Sequence, residues 1–140
     1  MNLDNQNLTI QDIERLKGIP PPKWSSDEQK FPLPSWYIRV RKKPLRKLSI
    51  DDLCIACRQR VLPEYIVPLA IDKLRKDPLI GHQFDGELIV ALARIRPGYW
   101  KQHQEEAREV ARIAGPALID VGETFREDVQ SLLDHLSPSK

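Results

Sequence analysis

Six segments of this chain carry apolar residues at helical spacing, and Pro or Gly separates each segment from the next. From residue 49 onward the breaks between segments are short. Short connections between amphipathic helices favour antiparallel neighbours. The sequence therefore predicts an all-α fold, an irregular antiparallel bundle of about five to six helices.

Two of the predicted helices begin with a capping signal. Thr9 precedes Asp12 by three residues, and the apolar pattern beside them predicts a helix over 10–17. Ser49 precedes Asp52 in the same way and predicts a helix that ends before Pro63. Further helices are expected at 64–76 with Pro68 near its first turn, from Asp85 or Gly86 to a stop at Pro97-Gly98, at 99–114 before Gly115-Pro116, and over the apolar repeat that ends at Leu136.

Prolines dominate the segment between the first two capped helices. Residues 19–35 hold five prolines, and each proline removes a backbone donor and restricts the residue before it. This composition predicts a Pro-rich loop or extended arm, with Trp24 and Phe31 as anchors that pin it to the core. We therefore expect a single domain made of an N-terminal helix and arm, 1–35, and a helical part, 36–140.

The segment that follows the arm fits two structures. Alternate positions from Trp36 to Val40 are apolar, a period of two that is typical of a short strand over 36–41. The same residues could form two turns of helix after a Ser35 cap, and Pro44 would end either element. The sequence leaves both alternatives open.

Overall composition limits the class of protein. Hydrophobic residues make up 41% and charged residues 30% of the 140 residues, which favours neither disorder nor a membrane protein. No stretch approaches the roughly 18 uncharged apolar residues of a spanning helix. The N-terminus has neither the basic nor the apolar region of a secretory signal, so we expect a cytoplasmic protein.

Charge is distributed unevenly along the chain, although the net charge is only +2. Residues 36–60 contain eight Lys or Arg against two Asp, whereas residues 101–140 contain five basic against eight acidic residues. The molecule should therefore be electrically polar, basic near its first third and acidic near its end.

The densest basic segment runs from Arg39 to Lys47 and lies next to Trp36 and Tyr37. Such a segment could grip a phosphate backbone. No helix-turn-helix, zinc-finger or RNA-binding motif accompanies it, so a solvated loop or a patch for an acidic protein is favoured. The alternative function, a small nucleic-acid-binding accessory protein, would depend on Arg39, Arg41, Lys42, Lys43, Arg46 and Lys47.

Cys54 and Cys57 form a CxxC pair. A zinc site needs two further ligands at compatible spacing, and the three histidines are far apart in sequence. A redox site requires the pair at a helix N-terminus, whereas this pair shares the apolar stripe of its predicted helix. We therefore expect two core residues, with no metal and no cofactor.

His82, Asp85 and Glu87 form the densest cluster of groups that could perform acid–base chemistry. No nucleophile motif, metal-ligand motif or Gly-rich phosphate loop accompanies them. Asp85 is better placed to cap the next helix and Glu87 to lie in its first turn. The sequence therefore predicts a binding protein without a small-molecule substrate, not an enzyme.

Ordered short motifs between residues 36 and 100 carry a family resemblance. They are Pro44-Leu45 with Leu48 and Asp52-Leu53, Ile66-Val67-Pro68-Leu69-Ala70, Asp77-Pro78, Phe84-Asp85-Gly86-Glu87-Leu88 and Trp100. In this order they resemble the small immunity proteins of bacterial contact-dependent growth inhibition systems. The chain has Gly86-Glu87-Leu88-Ile89 where those proteins commonly have Gly-Asp-Leu-Leu, and 101–140 has no counterpart in the resemblance.

The resemblance implies a cytoplasmic protein that tightly binds the C-terminal toxin domain of a cognate delivered effector, often a nuclease. Inhibition would be stoichiometric, by covering the active site of the toxin or an adjacent surface. Binding residues vary with the toxin, so the resemblance transfers none of them. A basic nuclease would be matched by acidic side chains, and those we expect in the interface are Asp85, Glu87, Glu105, Glu106 and Glu109.

Overall fold

The computed structural model describes residues 4–136, which form two compact units with the division between Leu48 and Ser49. The α-helices are α1 (Ile10–Lys17), α2 (Pro32–Val40), α3 (Ile50–Arg58), α4 (Pro63–Lys76), α5 (Glu87–Leu92), α6 (Pro97–Gln102), α7 (Gln104–Ala117) and α8 (Arg126–Leu136). Short 3-10 segments lie at Asp4–Asn7, Glu28–Lys30, Leu45–Lys47 and Glu123–Phe125. No strand occurs in residues 4–136, where one isolated bridge joins Thr9 and Pro44. The all-α prediction is confirmed.

The first helix of the N-terminal unit has the ends that the sequence predicts. The Thr9 hydroxyl accepts a hydrogen bond from the Asp12 N–H, and the Asp12 carboxylate accepts one from the Thr9 N–H, both at 3.0 Å. Gly18 ends α1 in the left-handed conformation, at φ 68°, which a residue without a Cβ adopts at no steric cost. Both the capping box and the stop are confirmed.

Residues 36–40 are helical, so the strand considered over 36–41 is wrong. The helix α2 already begins at Pro32, so the irregular arm ends at Phe31 and not at residue 35, and Ser35 is not the cap. Pro32 occupies the first position of α2, where its missing N–H has no intrahelical role. Trp36 and Val40 lie four residues apart and are both buried, as one face of a helix requires. The alternating apolar residues from Trp36 to Val40 therefore lie in a helix and not in a strand.

The Pro-rich arm has one anchor instead of two. Trp24 packs edge-on against Tyr37 with 5.9 Å between the ring centroids. Phe31 is 60% exposed, so the expectation that it also anchors the arm is wrong. Phe31 is the residue before the first turn of α2, in the extended conformation that a residue before proline favours.

The second unit is built around the short helix α5. α5 packs against α3, α4 and α8, while α7 packs against α4, α6 and α8. Leu88, Ile89, Ala91 and Leu92 of α5 are all buried, and so is Glu87 at its start. A helix that is enclosed on nearly all sides is the centre of a core.

Two helices of the second unit start differently from the prediction. α4 begins at Pro63, so Pro68 is its sixth residue, inside the helix, and cannot donate a helical hydrogen bond. Gly86, at φ 87°, precedes α5 and donates its N–H to the Leu79 carbonyl at 2.7 Å. Gly86 is therefore the N-cap of α5, in a left-handed conformation that glycine adopts without strain. Asp85, one residue earlier, is not the cap that we expected.

Pro97 starts a helix and does not end one. It is the first residue of α6, a position that proline tolerates. His103, at φ −131° and ψ 61°, separates α6 from α7, so the single helix expected over 99–114 is two helices. α7 continues through Gly115-Pro116 to Ala117, past the predicted stop.

The turn between α3 and α4 contains left-handed residues that are not glycine. Arg60 has φ 56° and Leu62 has φ 42°, a conformation that costs an L-residue about 1 kcal/mol or more. The Arg60 N–H donates to the Cys57 carbonyl and the Val61 N–H to the Ala56 carbonyl. These two bonds form the Schellman motif that ends many helices, with arginine at the position that usually holds glycine.

We predict that Ser49→Ala lowers the free energy of unfolding by about 1 kcal/mol, because the Ser49 hydroxyl accepts the Asp52 N–H at 3.0 Å at the start of α3. Urea denaturation monitored by circular dichroism measures this. Ser131→Ala, at an exposed position inside α8, is the matched control and should leave stability unchanged or slightly raised. Equal losses for both variants would contradict the capping role.

Candidate partner-binding surface

Three of the five acidic residues expected in an interface meet at one place. Glu105, Glu106 and Glu109 lie in the first two turns of α7 and line a depression of about 200 Å³ together with Ile71 and Arg75 of α4. Residues four apart share a helix face, which brings Glu105 and Glu109 together. We call this feature the acidic depression.

Glu106 is held from one side only. One carboxylate oxygen accepts a hydrogen bond from the Tyr99 hydroxyl at 2.6 Å. The other, Oε2, is buried and has no hydrogen-bond partner among residues 4–136. Burial of Tyr99, and then its hydrogen bond to Glu106, raise the pKa of the phenol. The phenol therefore stays protonated as a donor, and Oε2 is a buried acceptor that no described residue satisfies.

The other two glutamates differ from each other in their internal partners. Glu109 pairs with Arg75 at 2.8 Å and also with Arg112, so its charge is largely compensated before any partner arrives. Glu105 is exposed, and in the described part of the chain its carboxylate forms no hydrogen bond or ion pair. Of the three, Glu105 is the charge most available to a binding partner.

Glu87 and Asp85 lie outside the acidic depression. The Glu87 side chain is 1% exposed, and its carboxylate accepts the N–H of His82 at 2.7 Å and of Gln83 at 2.9 Å. Its second oxygen pairs with Arg58 of α3 at 3.2 Å. Glu87 thus lies in the first turn of α5, as expected, but its carboxylate faces inward. Asp85 is exposed in the preceding loop.

The environment of Glu87 keeps it ionised. Burial by itself would raise its pKa, but the backbone N–H groups of Gln83 and His82, followed by the Arg58 guanidinium, hold the pKa below its ordinary value of 4.5. Close packing surrounds the site as well, because a Cβ on Gly81 would lie 2.7 Å from the Glu87 Cβ and 2.0 Å from the Phe84 carbonyl oxygen. Glu87 is therefore a structural charge that organises the loop before α5.

We predict that Glu87→Gln lowers the free energy of unfolding at neutral pH by about 2 kcal/mol, since it removes charge-assisted hydrogen bonds from a buried site. A carboxyl whose folded-state pKa is lowered stabilises the fold above its unfolded pKa and loses this effect as the pH falls through the folded pKa. The difference between wild type and variant should therefore shrink below pH 4.5.

Urea unfolding at several pH values measures this difference. Glu123→Gln, which changes an exposed carboxylate outside the core, is the matched control and should show little effect at any pH. A Glu87→Gln loss that persists unchanged in acid would rule out the charge as its cause.

The CxxC pair lies in the core, as expected. Cys54 and Cys57 are both buried on α3, and neither forms a disulfide. Burial, and then the charge of Glu87, raise the pKa of the Cys54 thiol to about 12, and burial also raises the pKa of Cys57. Within residues 4–136, no group of three His, Cys, Asp or Glu side chains is arranged to hold a metal ion.

We predict that both thiols of the native protein react with Ellman's reagent far more slowly than the thiols of the denatured chain, because a buried, protonated thiol is a poor nucleophile. Absorbance of the released thiolate measures both rates. Cys54→Ser and Cys57→Ser report the two positions separately, and fast labelling of either native single-cysteine variant would contradict the burial.

The basic segment of the N-terminal unit is partly used inside that unit. Arg41 donates to the buried Glu14 at 2.7 Å, and the Tyr37 hydroxyl donates to the same carboxylate at 2.9 Å. Arg46 donates to the Asn7 side chain at 2.9 Å. Arg39, Lys42 and Lys47 are exposed, and Lys43 is half-buried. The six cations therefore do not form one uniform surface.

Sequence reasoning missed the residues that complete the acidic depression. Ile71 and Arg75 line it from α4, and Tyr99 of α6 donates to its Glu106, so their contribution depends on how helices pack. The spacing of Glu105 and Glu109 could have indicated a shared face. No local pattern indicates the cross-helix pair of Arg75 and Glu109.

The structure thus describes a small all-α protein in which Glu105, Glu106 and Glu109 line one surface depression. A family model for CDI immunity proteins, where CDI is contact-dependent growth inhibition, matches residues 18–110. The chain belongs to this family of toxin-neutralising proteins, and the resemblance found in the sequence is confirmed. No curated protein matches the chain.

The family match extends beyond the motifs that carried the resemblance. It begins before α2 and ends inside α7, so it includes every residue of the acidic depression. α8 lies outside it. None of the helices within residues 4–136 is long and apolar enough to span a bilayer.

Proposed function

We propose that this chain neutralises the toxin domain of a cognate contact-dependent inhibition effector by forming a stoichiometric complex with it. Membership of the CDI immunity family is the observation that supports this most directly. The chain acts by binding and not by catalysis. The complex forms in the cytoplasm, where the toxin domain, a nuclease in our proposal, would otherwise act.

The acidic depression is the surface that we assign to the toxin. Glu105 offers an exposed charge at the depression, and Glu106 adds a second carboxylate beside it. A Lys or Arg side chain of the toxin would pair with Glu105 through a charge-assisted hydrogen bond. A nuclease supplies such cations, because it must bind a phosphate backbone. Opposite charges would also speed the encounter of the two proteins.

The remaining acidic candidates have different roles in this proposal. Glu109 is already paired with Arg75, so it contributes by holding the wall of the depression. Glu87 is buried and supports α5 without contacting the toxin. Asp85 is exposed in the loop before α5 and stays an independent candidate for the interface.

We predict that Glu105→Lys weakens binding of the toxin domain encoded immediately upstream by about tenfold, or roughly 1.4 kcal/mol, because it reverses an exposed charge at the contact. Its melting temperature should stay close to that of the wild type, since Glu105 has no internal partner to lose. Isothermal titration calorimetry measures the affinity and the stoichiometry.

Glu123→Lys makes the same charge change at an exposed position outside the depression and is the matched control. Asp85→Lys tests the separate candidate in the same assay. A one-to-one wild-type complex that Glu105→Lys and Glu123→Lys weaken equally would refute the assigned surface. Absence of any wild-type complex would refute the proposed function.

A further inference from the structure

A second surface feature adjoins the acidic depression. It is a cleft of about 560 Å³ whose lining includes Arg60, Arg96, Pro63, Ile95 and Tyr99. We call it the arginine cleft. Its Tyr99 is the residue whose hydroxyl donates to Glu106. One hydrogen bond therefore joins a residue of the cleft to a residue of the depression, and a protein that covers the depression can extend to the cleft.

Arg60 is held in the cleft by its backbone and by its side chain. It occupies the left-handed position of the Schellman motif that ends α3, where glycine would fit without strain. Its Nε donates to the Arg94 carbonyl at 2.7 Å, which fixes the plane of the guanidinium. The two terminal nitrogens make no hydrogen bond to the described residues and remain available as a donor pair. An arginine at this strained position indicates a use for its side chain.

Arg96 supplies a second guanidinium on the same cleft. Arg96 is exposed, and within residues 4–136 its guanidinium forms no hydrogen bond or ion pair. No acidic residue belongs to the lining, whereas Pro63 and Ile95 provide apolar walls. Two planar donors beside apolar walls match a carboxylate carried on a methylene stem, as in Asp or Glu.

We propose that the arginine cleft binds an acidic side chain of the toxin domain. The assignment rests on the proposed function and extends it: the depression takes a cation of the toxin, and the cleft beside it takes an anion. A basic protein without a suitably placed carboxylate would satisfy only the acidic depression. A toxin that presents a positive and a negative side chain at matching positions is therefore selected over other basic proteins.

The adjoining acidic depression favours a protein carboxylate over nucleic acid as the occupant. A phosphate backbone carries charge along its whole length, so a strand seated on Arg60 and Arg96 would pass close to Glu105 and Glu106 and be repelled. A single carboxylate on a protein surface avoids this repulsion, because basic residues of the same protein can face the depression.

The test compares three variants of the full chain for binding to the toxin domain encoded immediately upstream. Arg96→Gln removes a guanidinium without an internal partner, and Arg60→Gln/Arg96→Gln removes both. We expect Arg96→Gln to weaken binding by about tenfold and the double variant by more. Arg94→Gln, which removes the same charge two residues away and outside the lining, is the control and should bind within about twofold of wild type.

A charge swap identifies the partner carboxylate. Each Asp or Glu of the toxin domain is changed to Lys in turn, and the change that abolishes the contact should be rescued by Arg96→Glu and not by Arg94→Glu. Failure of every such pair to show rescue would overturn the assignment of a protein carboxylate. Melting curves of each variant confirm that the chain is folded.

The outcomes separate this assignment from the proposed function. If the wild type binds the toxin domain and the double variant binds it equally well, the cleft assignment is wrong while the proposed function stands. Loss of duplex DNA or RNA binding in the double variant, with toxin binding unchanged, would also overturn it in favour of nucleic acid. If the wild type forms no complex, both proposals fail.

Discussion

The buried carboxylate of Glu87 holds the loop that leads into α5, the helix that is enclosed on nearly all sides. Its partners are the backbone N–H groups of this loop, which a carboxylate oxygen can accept in pairs. Glu87 does this for His82 and Gln83, while Arg58 of α3 compensates its charge. The carboxylate thus ties the loop, the central helix and a neighbouring helix to one point. A buried charge is tolerated there because every part of it is engaged.

Charged residues of this protein fall into two populations that only the structure separates. In the N-terminal unit, Glu14 and Arg41 form an internal pair, and in the second unit Glu87 and Arg58 do so. Other charges, such as Glu105, lie on the surface without an internal partner. The uneven charge of the sequence is real, but only this outer population is available to a second protein.

Local signals predicted much of the fold, and long-range contacts decided the rest. The capping boxes at Thr9 and Ser49 were correct because three residues contain all of the chemistry involved. The role of Pro97 was misjudged because proline occurs both at the ends and at the starts of helices. Which of the two applies depends here on tertiary packing, since α6 buries Trp100. For the site, sequence supplied Glu105, Glu106 and Glu109 as acids but could not show that Tyr99 and Arg75 reach them from other helices.

The absence of internal partners for Glu105 and Arg96 within the described residues bears on how such a chain can change over generations. Neither side chain forms a hydrogen bond or ion pair inside the described fold, so a substitution at either position alters mainly the outer surface. A lineage that meets an altered toxin can therefore shift its specificity in single steps, each of which preserves a working scaffold. The capacity for rapid divergence is in this sense a property of the architecture.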